Sequence, residues 1–124
     1  MKESMLKVVK VEVGEPPRVK EILNELAALQ AEVGGLIECV YLEDGCLAII
    51  NEEGKINGME PNRRIGNDII CGPFFLCGDT PDGEFTSLNE EQIQKYTQQF
   101  SDVPTFTGEE LELEPRMTFI GFDY

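Results

Sequence analysis

The chain has 124 residues, 41% of them hydrophobic, which suffices for one compact core and excludes both full disorder and two ordinary domains. Asp plus Glu number 24 against 10 Lys plus Arg, giving a net charge of −14, and histidine is absent. Such a surface repels DNA, RNA and anionic membranes, and without histidine no Ser-His or Cys-His catalytic pair and no His metal site can be built.

In chain order, Leu6 to Val13 alternates loosely as a first strand, and Gly14-Glu15-Pro16-Pro17 turns into a second extended run at Arg18 to Ile22. Asn24 is a plausible N-cap for a helix in which Leu26, Leu29 and Val33 share a face. Glu25 and Glu32 lie off that stripe, and Gly34-Gly35 ends the helix. Leu36 to Leu42 and Cys46 to Asn51 read as strands joined by Glu43-Asp44-Gly45, a strong hairpin signal. The polar stretch Ile56 to Gly66, broken by Pro61, is expected to be an ordered loop. Asp68 to Leu76 is the most apolar strand, with Gly72-Pro73 suggesting a bulge or an edge position. Ser87-Leu88-Asn89-Glu90 fits a capping box before a helix with Ile93, Tyr96 and Phe100 inward. Leu111 and Leu113 alternate with Glu110, Glu112 and Glu114 as an acidic-faced strand, and Met117 to Phe122 is a last aromatic strand. The expected fold is therefore α+β: one domain over residues 1–124, with a mostly antiparallel, curled sheet of about six or seven strands and two helices.

The N-terminus has no long apolar segment of signal-peptide type. The longest aliphatic run, Leu47-Ala48-Ile49-Ile50, is far short of the ~20 residues a membrane span needs. A cytoplasmic location is expected, without membrane contact. Cys39, Cys46, Cys71 and Cys77 lie in apolar segments without a C-x-x-C pair. They are expected to be reduced and mostly buried rather than bridged or bound to zinc.

Little in the chain points to catalysis. Glu52-Glu53 and Glu90-Glu91 read as hydrated turn and helix-start residues, and Asp79 to Glu84 fails the spacing of a calcium loop. No phosphate-cradling glycine pattern occurs, and the thiols lack a base. Neither a cofactor nor enzyme activity is expected.

Two features remain. Asn62-Arg63-Arg64 contains the only adjacent basic pair, in a Gly/Pro/Asn-rich segment with Asn51 and Asn57 nearby in sequence. Arginine forks suit a small anionic ligand such as a nucleotide; the alternative is that Arg63 and Arg64 pin the segment by pairing with carboxylates. Second, residues 65–124 carry 2 basic and 12 acidic side chains, a net −10. Within them, Glu110, Glu112 and Glu114, with Glu109 adjacent, would project from one strand face ~6.6 Å apart. Such a row could occupy the nucleic-acid groove of a basic protein; the alternative is a solvated edge that prevents aggregation.

The chain also resembles a family of unknown function from phages, plasmids and other mobile elements of Gram-positive bacteria. The residues carrying the resemblance run from Leu26 through Ala31-Glu32-Val33-Gly34-Gly35 to Glu38, then Asn51 to Gly58, Pro61 to Arg64, Asp68 to Pro73 and the helix Leu88 to Tyr96. It covers roughly residues 5–100 and leaves 101–124 as an acidic and aromatic extension. It implies an accessory protein of a mobile element, sometimes associated with antirestriction proteins. The function this favours is a non-enzymatic anti-defence inhibitor, of anti-restriction or anti-CRISPR type. Such a protein would bind a basic host protein such as a defence nuclease, without contacting nucleic acid directly. A nucleotide-sequestering protein using the arginine segment, and a structural or regulatory phage protein, are the alternatives. The sequence leaves a homo-oligomer open.

Overall fold

The computed structural model describes residues 4–106. Its elements are β1 (Met5–Val11), β2 (Arg18–Leu23), α1 (Leu26–Val33), β3 (Ile37–Tyr41), β4 (Cys46–Asn51), β5 (Pro61–Ile65), β6 (Asp68–Cys71), β7 (Phe74–Asp79), β8 (Phe85–Thr86) and α2 (Glu90–Gln99). Six strands form one sheet in the order β2-β1-β7-β4-β3, with β8 also pairing β7, and β5-β6 form a separate ribbon. Every pairing is antiparallel. The expected α+β class with two helices on an antiparallel sheet is what the chain adopts.

The sheet is buried on both faces. On one, Leu6, Val8, Leu47, Ile49, Phe75 and Cys77 pack with Leu29 and Val33 of α1. On the other, Val9, Val11, Ala48, Ile50, Phe74 and Leu76 pack with Tyr96 and Phe100 at α2, and with Ile70 of the ribbon. Adjacent residues of β1, β4 and β7 thus serve opposite cores, as the alternation of strand side chains requires. The Phe74 and Phe100 rings meet edge to face at 5.6 Å, which closes the α2 side.

Four local expectations need correction. Residues 56–66 are not a loop throughout, because Pro61–Ile65 is β5. Pro61 is tolerated as its first residue, and the register shifts between Pro61 and Arg63. The apolar run 68–76 is two strands in two sheets, not one. Gly72, at φ 85, turns the chain between them, and a Cβ there would lie 2.5 Å from Met59 Sδ. The α2 cap is Asn89 with Gln92, whose side chains and backbone amides bond reciprocally; Ser87 instead accepts from the Lys7 amide at 2.9 Å. At α1 the N-cap is Glu25 with no side-chain cap, and Leu26 is 60% exposed rather than inward. The hairpin signal was accurate: Asp44 and Gly45 both have positive φ, as a type I′ turn requires.

Cys46, Cys71 and Cys77 are buried free thiols, whereas Cys39 is exposed because it sits on the edge strand β3. No helix among the described residues is long and apolar enough to cross a membrane.

Candidate functional site

The Asn62-Arg63-Arg64 segment divides by strand alternation. Asn62 and Arg63 are buried, Arg63 to 3% exposure, while Arg64 faces solvent. The Asn62 amide nitrogen donates to the carbonyls of Val11 and Gly72, both at 3.0 Å, and its oxygen accepts from Arg63 Nη1 at 2.8 Å. Arg63 Nε donates to the Phe100 carbonyl at 3.1 Å, Nη2 to the Glu15 carbonyl at 2.6 Å, and Nη1 also to the Asn62 carbonyl at 3.3 Å. The guanidinium thus meets carbonyls and no carboxylate among the described residues. Burial lowers its pKa from the usual arginine value. Its charge lies at the carboxyl end of α2, where the helix dipole favours a cation. The pair ties β5 to the end of β1, to the β1–β2 connection and to α2.

Asn51 and Asn57 are placed elsewhere. Asn51 donates to the Val33 carbonyl at 3.1 Å and accepts from the Glu53 amide at 2.7 Å, joining the end of α1 to the turn after β4. Asn57 is exposed in that turn, its amide bonded to the Glu53 carbonyl at 2.8 Å. Asn51 and Asn62 share no bonding partner among the described residues. Glu109, Glu110, Glu112 and Glu114 lie outside the described residues.

The other basic side chains are largely paired within the protein. Lys10, 4% exposed, lies 2.6 Å from Glu32 and 3.5 Å from Glu12. Lys20 reaches Glu32 at 2.9 Å. Burial alone would raise the Glu32 pKa, but the bonds and charges of Lys10 and Lys20 outweigh it and hold the carboxyl below its usual value. Arg18 pairs with Glu12 and Glu15, Lys55 with Asp68 at 2.6 Å, and Lys95 with Glu43 and Asp44. Of the basic residues described, Lys7 and Arg64 alone make no such internal contact among the described residues.

Sequence reasoning missed a cavity of about 230 Å³ between β3, the turn after β4 and the β6 strand. Ile50, Ile69, Ile70 and Cys71 contribute to its lining, with Glu38, Glu52, Asp68 and Lys55. Burial, then the charges of Glu52 and Asp68, raise the Glu38 carboxyl above its usual pKa. The turn can close over Cys71 because residue 54 is glycine; a Cβ there would lie 2.5 Å from the Cys71 carbonyl oxygen. These residues come from three separate segments, at Glu38, at 50–56 and at 68–71, with no local motif to announce them.

Cys39, Cys46 and Cys77 are poor nucleophiles. Burial raises the pKa of Cys39 and of Cys46, and pushes Cys77 up to about 12. Among the described residues, no group of three or more Cys, Asp or Glu is arranged to hold a metal ion. A family model for a domain of unknown function, DUF3846, matches residues 6–101. The chain belongs to that family. No curated protein and no solved structure matches it. The DUF3846 match begins within β1 and ends just beyond α2, so it takes in all the described helices and strands apart from the first residue of β1.

Proposed function

We propose that this DUF3846 domain acts by binding, as an acidic inhibitor that occupies the nucleic-acid-binding surface of a basic host protein such as a defence nuclease. One observation carries the reading. Lys10 and Arg63 are drawn inward, and Arg18, Lys20, Lys55 and Lys95 sit against carboxylates, so a protein of net charge −14 presents a surface dominated by unneutralised Asp and Glu. Glu21, Glu25, Glu52, Glu53, Glu60, Asp82, Glu84, Glu90 and Glu91 are all exposed. Glu109, Glu110, Glu112 and Glu114 add charge of the same sign. Such a surface attracts a basic groove over long range and competes there with phosphates. The origin in mobile elements and the link to antirestriction, implied by the sequence resemblance, favour a defence protein as the target.

Nucleotide capture at Asn62-Arg63-Arg64 is the weaker reading, since Arg63 and Asn62 already bond carbonyls of the protein and only Arg64 is exposed. The test is to titrate the protein into DNA-cleavage assays of purified restriction and CRISPR nucleases. Stoichiometric inhibition that excess DNA reverses supports the proposal. Unimpeded cleavage across the panel, together with nucleotide binding by calorimetry, would replace it with the second reading.

A further inference from the structure

The two edges of the six-stranded sheet are not alike. The β2 edge follows Pro16-Pro17 and carries Arg18, Lys20 and Glu21, the charges and prolines by which edge strands resist pairing. The β3 edge, Ile37-Glu38-Cys39-Val40-Tyr41, has no lysine, arginine or proline and pairs with β4 in unbroken register. Among the described residues β4 is its only strand neighbour. Leu42 N–H donates to the Cys46 carbonyl, and Glu52 N–H to the Leu36 carbonyl. In an antiparallel ladder the bonded residues alternate, so even-numbered positions face β4. The N–H and C=O groups of Ile37, Cys39 and Tyr41 therefore point outward along the open edge.

The side chains beside this edge are also exposed: Tyr41 to 74% and Leu36 to 53%. Cavities flank it. One of about 230 Å³ lies at Glu38, and another of about 530 Å³ lies between Tyr41, Leu42, Ile65 and Gln99. Glu38, Glu52 and Asp68 border the first, where Lys55 pairs with Asp68.

We propose that the β3 edge is a docking strand, which receives an extended, lysine- or arginine-bearing segment of a partner protein by antiparallel β-addition. Main-chain bonds to Ile37, Cys39 and Tyr41 would supply affinity, and alternate side chains would fix the partner's register. Those on the α2 face would set cations against Glu38 and Glu52. A second copy of this chain fits less well, because it would bring a further net −14 and another such carboxylate group to the same edge. The inference rests on the reading that the partner is basic, and adds where it docks.

The probe is a short peptide of alternating lysine and valine, with a glutamate–valine peptide as control. Amide hydrogen exchange on the full chain should show Ile37, Cys39 and Tyr41 unprotected alone and slowed by about tenfold or more with the lysine peptide. Cys39→Pro removes an outward N–H that β4 does not use, so it should abolish this protection while the protein still melts cooperatively. Glu38→Gln serves as the milder variant and should weaken peptide binding several-fold. Three results would overturn the proposal: binding that leaves these amides unprotected, protection already present without peptide (the edge then being covered by the chain itself), or a dimer by light scattering that Cys39→Pro dissociates. The two proposals fail separately. Nuclease inhibition unchanged by Cys39→Pro and Glu38→Gln would remove the docking edge and keep the inhibitor, whereas a protected edge without nuclease inhibition would do the reverse.

Discussion

Arg63 Nε donates to the carbonyl of Phe100 at 3.1 Å, joining the middle of the ribbon strand β5 to the end of α2 across 37 residues of chain. The same guanidinium bonds Glu15 and, with Asn62, connects three segments that share no other side-chain clamp of this kind among the described residues. Arg63→Ala should therefore destabilise by about 2–4 kcal/mol in urea unfolding, because several buried carbonyls lose their donor. Arg63→Lys should recover little, since an ammonium cannot reproduce the fork. Arg64→Ala should stay within ~0.5 kcal/mol. Equal effects at 63 and 64 would contradict this placement.

Glu32 holds Lys10 and Lys20 together against the sheet. Its pKa is lowered in the folded protein, so its contribution to stability is present above the ordinary carboxylate value of 4.5 and is lost as pH falls through the folded value. Glu32→Gln should cost about 2 kcal/mol at neutral pH, largely by leaving Lys10 buried without its closest partner. The gap between wild type and variant should close in thermal melts as pH falls below 4.5 and through the lowered folded value. A gap independent of pH would contradict the ion-pair account.

Glu38 has the opposite sign. Its pKa is raised, so the stability it contributes is present below 4.5 and is lost as pH rises through the folded value. Glu38→Gln should raise the melting temperature slightly at pH 7 and leave it unchanged in acid. A lower melting temperature at pH 7 would mean that the carboxylate makes a stabilising contact. The gain in stability also separates this variant's expected loss of partner binding from any fault in folding.

The thiols should react in order of exposure. Native protein should consume one equivalent of a thiol reagent at Cys39, and denatured protein all four, without prior reduction. Cys77, pushed up to about 12 and wholly buried, should be the slowest. Mass mapping after brief alkylation checks this; first modification at Cys77 would contradict the packing of the α1-side core.

The class of fold was legible because the strongest signals are local. Asp44-Gly45 needs only two positive φ angles, and the unbroken apolar runs in Cys46–Asn51 and Phe74–Asp79 follow from burial on both faces. The ribbon was illegible for a physical reason. Asn62 and Arg63 look like solvent-facing loop residues, yet they are buried because Val11, Gly72, Glu15 and Phe100, 10 to 51 positions away, supply carbonyls that satisfy them. The cavity at Glu38 is likewise assembled from distant segments, and the open edge at β3 depends on strand order, which composition does not encode.

The central claim, that the carboxylate surface captures a basic nucleic-acid-binding protein, is tested most directly by the salt dependence of nuclease inhibition. DNA cleavage would be measured against protein concentration at low and moderate salt, for the wild type and for a variant with Glu109, Glu110, Glu112 and Glu114 changed to glutamine. Exposed charges are screened over ~8 Å at physiological ionic strength, so wild-type inhibition should weaken steeply with salt, and the variant should inhibit less with a shallower slope. Absence of inhibition at low salt, or inhibition indifferent to both salt and the four substitutions, would contradict the account.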